Sequence, residues 1–267
     1  MLICKQLEQD LNKGKKPDLS HLRFAIMGGD GVAPKELEWI NEVLKKCGSP
    51  VPVSVGYGVS EVFSVLAVED SADKADYVTR NSHPVIPVGV PLPGVDVSIR
   101  DENGDELPYG ERGELCVKTA TLMEGYLHQE ELTRYVLRGG WYNTGDLCEM
   151  DESGHIYYYC RMSDNFIYNG KRIYTIDLDI ALRSHPDVQN AIVAVKQSVD
   201  GTVRLCAHIY PEQKKKIVDD ELVKELDDII SKVLPKGLSA EGYKVHYDSI
   251  LVTPIGKSSR QLYNEML

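Results

Sequence analysis

Residues 141–173 constrain the fold of this chain more than any other stretch, because turn signals and strand signals alternate through them. Thr144-Gly145-Asp146 predicts a turn, and the tyrosine-rich run that ends at Arg161 predicts a strand. Asp146 and Arg161 therefore lie fifteen residues apart across a predicted β-hairpin. A carboxylate accepts two hydrogen bonds at once, so it suits the paired hydroxyls of a ribose, and an arginine fork can reinforce that grip.

Length, charge and hydropathy narrow the class of protein. A chain of 267 residues can bury a sizeable core and could hold two domains. The net charge of −11 argues against a nucleic-acid partner, which requires a basic face. No apolar run approaches the ~20 residues of a membrane span. We therefore expect a globular protein with neither a nucleic-acid partner nor a membrane span.

The cysteines and the N-terminus bear on the compartment. None of the six cysteines forms a Cys-x-x-Cys pair, so neither a zinc knuckle nor a redox pair is predicted. The first residues contain no apolar signal-peptide core and no small-residue cleavage site. The expected location is the cytoplasm.

The first part of the chain has the pattern of a strand, a helix and a second strand. Leu22–Met27 predicts a short strand that ends at Gly28-Gly29. Ala33-Pro34 opens a helix, since proline is tolerated in the first turn, where its missing N–H is not needed. Val51–Val55 predicts a strand that leads to Gly56-Tyr57-Gly58. This unit is expected to be one edge of an α/β layer without the rest of its sheet.

From Val85 the pattern changes to short strands and turns. Alternating residues from Val95 to Ile99 predict a strand, and Asn103-Gly104 predicts a tight hairpin turn with two positive φ angles. These strands predict a small distorted barrel that ends near Tyr159, followed by a compact α+β unit. The expected fold class is thus mixed α/β and α+β, with domains at residues 1–84, 85–160 and 161–267.

Five segments, in order and spacing, resemble the adenylate-forming enzymes, a family that includes acyl-CoA synthetases, firefly luciferase and peptide-synthetase adenylation domains. Thr144-Gly145-Asp146 with Arg161 resembles the nucleotide-binding core of that family. The other four resemble its Gly-Gly, Tyr-Gly-x-Thr-Glu, Gly-Glu-Leu…Gly-Tyr and Pro-x-Gly-Lys motifs: residues 27–34, Gly56-Tyr57-Gly58-Val59-Ser60-Glu61, Gly113-Glu114-Leu115 through Gly125-Tyr126, and Pro254-Ile255-Gly256-Lys257. Such enzymes use ATP to turn a carboxylic acid into an acyl-adenylate, and usually pass the acyl group to a thiol.

The resemblance implies roles for individual side chains. Tyr57 would stack on adenine, Ser60 would contact the α-phosphate, and Glu61 would bind Mg²⁺. Lys257 would be catalytic, because its charge would offset the negative charge that develops as the carboxylate attacks phosphorus. The full set of implied nucleotide-binding residues is Gly28, Gly29, Asp30, Tyr57, Gly58, Ser60, Asp146, Tyr158 and Arg161.

The same resemblance predicts a mobile C-terminal lid domain. Gly170 matches a glycine that lines the pantetheine tunnel, which implies coenzyme A as a co-substrate, and Ser163 occupies the hinge position. Two positions depart from the family pattern. Cys160 replaces a glycine, and Ile167 replaces a lysine that would offer a cation to a carboxylate or phosphate. These departures place domain alternation and full activity in doubt.

The sequence contains nothing like the Ser/Thr/Gly-rich phosphate loop that the family carries upstream of these motifs. The chain is therefore expected to be the C-terminal half of a larger enzyme, inactive alone, with a missing N-terminal half as a possible partner. The favoured function is an ATP-dependent acyl-CoA ligase acting on a small carboxylic acid with ATP/AMP, Mg²⁺ and coenzyme A. The alternatives are an adenylation domain that loads a carrier protein and a non-catalytic nucleotide- or acyl-binding module.

Overall fold

The computed structural model describes residues 2–29, 31, 34–62, 64–68, 83–211, 220–247, 251 and 259–267. The chain divides into two compact units, Met1–Met162 and Ser163–Leu267. Within the described ranges, no helix has both the length and the apolar character needed to cross a membrane.

The first unit is built around one nine-stranded sheet. Its strands are β1 Ala25–Gly28, β2 Val53–Val59, β3 Ser64–Val68, β4 Pro87–Pro91, β5 Val95–Arg100, β6 Gly113–Thr119, β7 Leu137–Arg138, β8 Trp141–Met150 and β9 Ile156–Arg161. The strand order in the sheet is β1-β2-β3-β4-β9-β8-β6-β5, and β7 pairs with β8. Its helices are α1 Leu2–Asn12, α2 Pro34–Lys46 and α3 Glu130–Val136, with a short 3₁₀ turn at Ser60–Val62.

Helix α2 begins at Pro34, as the sequence predicts, because a proline in the first turn gives up no helical hydrogen bond. Its apolar side chains repeat at helical spacing and are buried in the core: Leu37, Ile40, Val43 and Leu44. Helix α1 contacts α2 through a hydrogen bond of 2.8 Å from Trp39 Nε1 to Glu8 Oε1. The two helices pack in the same core as β2, the strand that contains Tyr57 and leads directly to Ser60 and Glu61.

Strand β1 lies at one end of the sheet and pairs in parallel with β2 alone among the described strands. Ile26 on this strand is 44% exposed, and the preceding Phe24 is 59% exposed. Gly28 lies opposite Gly56, and a Cβ at Gly28 would come within 2.4 Å of the Gly56 carbonyl oxygen. Glycine is thus required where the Gly-Gly segment leaves the sheet.

The connection between β5 and β6 differs from the predicted tight turn. The two strands pair antiparallel as expected, with Val95 opposite Thr119 and Arg100 opposite Glu114. Of the Asn103–Gly104 pair, Gly104 has a positive φ and Asn103 does not, so the prediction of two positive φ angles at this pair is wrong. The Asp101 carboxylate accepts hydrogen bonds from the backbone N–H groups of Asn103 and Asp105, so an aspartate side chain closes a longer loop.

The second unit contains a hairpin, a three-stranded sheet and three helices among its described residues. Its strands are β10 Asn165–Tyr168, β11 Lys171–Tyr174, β12 Val188–Gln197, β13 Val203–Pro211 and β14 Gly242–Val245, and its helices are α4 Thr175–Arg183, α5 Asp220–Ser231 and α6 Arg260–Asn264. The β10–β11 turn places Asn169 and Gly170 at φ angles of 50° and 75°. Those are the residue types that such a two-residue hairpin turn favours.

Helix α5 buries one apolar face in the core of the second unit. Leu222, Leu226 and Ile230 are buried, as the helical spacing predicts. The helix ends at Ser231, so Val233 beyond it is 39% exposed, and Leu234 is buried in the same core.

A buried ion pair fastens helix α6 to α4 within this unit. Asp179 is fully buried and accepts hydrogen bonds from Arg260 Nη2 at 2.5 Å and from the Val193 N–H at 2.7 Å. Arg260 Nη1 also donates to the Val193 carbonyl at 2.8 Å. The charges are therefore paired and hydrogen-bonded, as burial requires.

The predicted mixed α/β and α+β class is confirmed, and the strands of the first unit form a curled half-barrel sheet. Strands from both sides of residue 84 share that sheet. The division of the chain into three domains stays a prediction.

Candidate functional site

The regular pairing of β8 with β6 is interrupted at the Thr144-Gly145-Asp146 turn. Across the β6–β8 pair, Glu114 lies opposite Leu147 and Cys116 lies opposite Asn143, so the whole turn faces Leu115 alone. Gly145 has a φ of 70°, in the left-handed region that favours glycine. This bulge turns the Asp146 carboxylate out of the strand pattern, as bulges near functional sites often do.

Asp146 and Arg161 are register partners on β8 and β9, which explains why residues distant in sequence meet. Arg161 Nη1 lies 3.0 Å from Asp146 Oδ1 and 3.1 Å from the Thr144 carbonyl oxygen. Tyr57, from the end of β2, donates its hydroxyl to Asp146 Oδ2 at 2.5 Å. The structure thus brings together three of the predicted nucleotide-binding residues around one carboxylate.

Burial shapes the charges of this triad. The Asp146 residue is 2% exposed and Tyr57 is 8% exposed, whereas the Arg161 side chain is 53% exposed. Burial, followed by the nearby Asp146 charge, raises the pKa of Tyr57 well above its ordinary value, so its hydroxyl stays a donor. Burial disfavours the charged form of Arg161, but the Asp146 carboxylate and the surrounding tyrosines together outweigh burial, and the pKa of Arg161 rises. Arg161 is therefore a permanent cation at the rim.

The predicted adenine-binding residues lie beside the triad. The rings of Tyr57 and Tyr158 are 6.2 Å apart between centroids, and the Tyr158 ring lies 3.6 Å from where a Cβ of Gly31 would be. Gly28 and Gly29 are exposed at the end of β1. Because Tyr57 is buried, stacking on adenine would require it to uncover a ring face. Asp30 lies outside the described residues.

The predicted phosphate and metal residues follow directly after β2. Gly58 and Ser60 are exposed, and Glu61 is half-buried in the 3₁₀ turn. Tyr126 donates its hydroxyl to Glu61 Oε1 at 2.6 Å. Burial disfavours the Glu61 carboxylate, but hydrogen bonds, foremost that from Tyr126, outweigh burial and hold the pKa of Glu61 below its ordinary value. Glu61 is thus an anion at neutral pH.

A single carboxylate at this position fits Mg²⁺. No group of three or more His, Cys, Asp or Glu side chains that could hold a metal occurs among the described residues. Magnesium beside phosphates is held through one or two carboxylates, with water and phosphate oxygens supplying the remaining ligands. The anionic Glu61 meets that requirement, whereas a cage made entirely of protein ligands does not exist in the described part of the chain.

The remaining predicted residues belong to the second unit. Ser163 is its first residue and is exposed, and Gly170 forms the exposed tip of the β10–β11 hairpin. Ile167 on that hairpin is 43% exposed, and its backbone bonds with the Gln197 side chain. Lys257 lies outside the described residues. The coenzyme A, hinge and catalytic roles stay predictions.

Sequence patterns assign no role to three side chains that support the site. Glu114 accepts a hydrogen bond from the Gly145 N–H at 2.9 Å, and Thr144 Oγ1 accepts one from the Asp146 N–H at 3.1 Å. Tyr126 bonds to Glu61. Glu114 and Tyr126 belong to motifs that the sequence does display, but their bonds join strands and turns that are distant along the chain. From the sequence, the resemblance of their segment to the family motif is the only signal that could have identified Glu114 and Tyr126.

Comparison with known proteins agrees with this geometry. A family model described as AMP-binding enzyme matches residues 1–127. A 2-succinylbenzoate–CoA ligase from Bacillus licheniformis is 33% identical over 75% of this chain and 39% of its own length. Gramicidin S synthase 2 from Brevibacillus brevis is 29% identical over 96% of this chain, which is 6% of that protein.

A solved structure supports the same assignment. The amide bond synthetase McbA from Marinactinospora thermotolerans is 30% identical, covers 93% of this chain and superposes with a TM-score of 0.76. The chain covers 47% of that structure, and thus spans less than half the length of these relatives. The motifs, the fold and these matches identify one family: the chain belongs to the adenylate-forming, AMP-binding enzyme superfamily.

Proposed function

We propose that this chain is the part of an ATP-dependent acid–thiol ligase that holds the adenosine of the acyl-adenylate and presents it for transfer to coenzyme A. The observation that carries this proposal is the buried Asp146 carboxylate, held between Tyr57 Oη at 2.5 Å and Arg161 Nη1 at 3.0 Å. A carboxylate with several acceptor positions, beside a permanent cation, suits a ribose with two adjacent hydroxyls.

The remaining residues take roles around that anchor. Ser60, exposed after β2, donates its hydroxyl to the α-phosphate, and Glu61 holds Mg²⁺, which would offset phosphate charge. Tyr158 packs against the adenosine beside the glycines at the end of β1. Lys257 offsets the charge that develops as the carboxylate oxygen attacks the α-phosphorus, and pyrophosphate leaves.

The nature of the acceptor distinguishes the candidate functions. The names of the relatives include coenzyme A ligases, peptide synthases and an amide bond synthetase, so a thiol of coenzyme A, a carrier protein or an amine could receive the acyl group. The hairpin tip at Gly170 supports coenzyme A, because it matches the family glycine that lines the pantetheine tunnel. Loading of a carrier protein is the second candidate, supported by matches to peptide synthases over 96% of the chain.

Binding of AMP by the chain itself tests the adenosine site. We expect weak AMP binding, detectable by ligand-observed NMR, that Asp146→Ala abolishes, because the ribose loses its charged acceptor. Loss of one hydrogen bond to a charged group costs ~1.5–3 kcal/mol, which is roughly a tenfold to hundredfold loss of affinity. Lys257→Ala is the matched control and should bind AMP as the wild type does, since Lys257 serves the reacting carboxylate. Equal binding by wild type and Asp146→Ala would show that the ribose assignment is wrong.

A further inference from the structure

The Gly113-Glu114-Leu115 through Gly125-Tyr126 stretch resembles a family motif, yet the proposed function gives it no task. Each end of the stretch contacts one of the two carboxylate-bearing segments of the site. Glu114 bonds to the turn that carries Asp146, and Tyr126 bonds to Glu61 itself. The two carboxylates therefore depend on one stretch for their placement.

Glu114 replaces a missing strand partner. Because β8 bulges at Gly145, the N–H of that half-buried residue has no ladder acceptor on β6 and needs another partner within the fold. Glu114 Oε1 accepts this N–H at 2.9 Å, and Glu114 Oε2 accepts Asn143 Nδ2 at 3.2 Å. The side chain thus ties both the start and the apex of the bulge to β6.

The backbone of β6 also bonds to the Thr144-Gly145-Asp146 turn. Thr144 Oγ1 donates to the Leu115 carbonyl at 2.8 Å and accepts the Asp146 N–H at 3.1 Å. Together with Glu114, this fixes the two peptide groups that flank Gly145, directly before Asp146. The carboxylate is consequently aimed by contacts that are independent of Tyr57 and Arg161.

Tyr126 is held just as firmly before it reaches Glu61. Its N–H donates to Thr133 Oγ1 of helix α3 at 2.9 Å. The preceding Gly125 has a φ of 157°, and a Cβ there would lie 2.7 Å from Thr133 Cγ2. The hydroxyl then donates to Glu61 Oε1 at 2.6 Å, while the Met123 N–H donates to the Glu61 carbonyl at 2.8 Å. Residues 123–126 thereby hold both the side chain and the backbone of Glu61.

We propose that Glu114 and Tyr126 are positioning residues that separately set the two halves of the nucleotide site, an inference that rests on the proposed function. Glu114 sets the ribose half by fixing the bulge that carries Asp146. Tyr126 sets the metal half by fixing Oε1 of the Glu61 carboxylate, which the Tyr142 hydroxyl also stabilises. Neither residue contacts the nucleotide, so each acts through a carboxylate, as partners of ligating side chains commonly do.

The first arm of the test uses the ligand-free protein. In Glu114→Ala the amide resonance of Gly145 should move upfield and exchange faster with solvent, whereas Glu114→Gln, which keeps an oxygen acceptor, should stay near the wild type. In Tyr126→Phe the carboxyl carbon resonance of Glu61 should move from its wild-type position, because the hydroxyl that donates to Oε1 is gone. An unchanged Gly145 amide in Glu114→Ala, or an unchanged Glu61 carboxyl resonance in Tyr126→Phe, overturns the corresponding half of the proposal.

The second arm measures affinity for adenosine, and for ATP with and without Mg²⁺. Glu114→Ala should lose about tenfold in adenosine affinity and Glu114→Gln should recover most of it. Tyr126→Phe should leave adenosine affinity unchanged. The ratio of ATP affinity with Mg²⁺ to ATP affinity without it should fall about tenfold in this variant. The matched controls, Glu149→Ala and Tyr243→Phe, remove comparable carboxylate–tyrosine bonds elsewhere and should change neither quantity.

The outcomes separate the inference from the function on which it rests. Loss of both ligands by either variant, with no recovery in Glu114→Gln, indicates a general structural role and overturns the separation into two halves. If the wild type binds neither ligand, the proposed function fails for this chain, and the ligand-free arm still decides whether Glu114 and Tyr126 hold the two carboxylates.

Discussion

At the scale of single residues, the decisive feature is that the Asp146 carboxylate already has two side-chain partners, the Tyr57 hydroxyl and the Arg161 guanidinium. Its carboxylate is 2% exposed, with Tyr57 Oη at 2.5 Å from Oδ2 and Arg161 Nη1 at 3.0 Å from Oδ1. A ribose hydroxyl that approaches Oδ2 must replace the tyrosine hydroxyl, since a buried acceptor offers little additional room. Nucleotide binding in this geometry is an exchange of one hydrogen bond for another, so competition from the Tyr57 hydroxyl lowers the affinity that Asp146 provides.

Tyr57→Phe tests that exchange. The variant keeps the ring but removes the hydroxyl, so Asp146 loses a buried donor and the free energy of unfolding should fall by about 1–3 kcal/mol. AMP affinity should rise several-fold, up to about tenfold, because the ribose no longer competes with the tyrosine. Chemical denaturation and AMP titration measure the two quantities. Tyr243→Phe, which removes a tyrosine hydroxyl bonded to Asp227 in the second unit, is the matched control. An AMP affinity that falls in Tyr57→Phe would show that the hydroxyl assists binding.

At the scale of elements, His208 on β13 and His246, just after β14, form a histidine pair that the proposed function does not use. His208 Nδ1 and His246 Nε2 are 2.8 Å apart, and the rings stack with centroids 5.0 Å apart. His208 is fully buried, with the ring of Tyr263 from helix α6 against its edge. Burial first, and then the charges of His246 and Lys244, lower the pKa of His208 to about 4. His208 is therefore neutral at physiological pH.

This histidine should make the second unit sensitive to acid. The pKa of His208 is about 4 in the folded state and near 6.5 when unfolded, so the unfolded chain takes up the proton first. The contribution to stability is complete above pH 6.5 and is lost as the pH falls towards 4, by roughly 2–3 kcal/mol. Denaturant unfolding across that range should show a smaller loss in His208→Gln than in the wild type. Parallel pH profiles for the two proteins would contradict this assignment.

At the scale of the whole molecule, the chain consists of two compact units that meet in sequence at Met162 and Ser163. Each unit has its own buried cluster, with Val55 and Leu115 in the first and Leu178 and Leu205 in the second. A unit with its own core can in principle fold alone. The junction also coincides with the predicted hinge position, Ser163.

Limited proteolysis tests whether the junction is a domain boundary. We expect early cleavage near residues 162–165 and a stable C-terminal fragment, because a linker is cut before packed elements are. Mass spectrometry of the fragments gives the cut site, and circular dichroism of the purified fragment shows whether it stays folded. First cleavage within the nine-stranded sheet would argue against the boundary.

Local signals explain most of what the sequence predicts correctly. The start of helix α2 at Pro34 and the turn at Asn169-Gly170 depend on the backbone preferences of a few neighbouring residues. The failure at Asn103-Gly104 has a different cause, because the Asp101 side chain captures backbone N–H groups that a tight turn would have used.

The candidate site is only partly visible in sequence for a similar reason. The motifs predict that Asp146 and Arg161 belong together, and their register on β8 and β9 agrees. The bonds from Glu114 to Gly145 and from Tyr126 to Glu61 span 31 and 65 residues. Periodicity cannot reveal such contacts, because they depend on the bulge in β8 and on the packing of α3.

The position of β1 at the end of the sheet also has a practical consequence. A parallel strand whose outer side is not paired by any described strand, with Phe24 and Ile26 exposed beside it, is a template for adding another chain. Self-association through such a strand increases with protein concentration. Binding of weak ligands is often measured at high protein concentration, which would favour this self-association. Dilute protein with excess nucleotide, rather than the reverse, is therefore the appropriate format for titrating this chain.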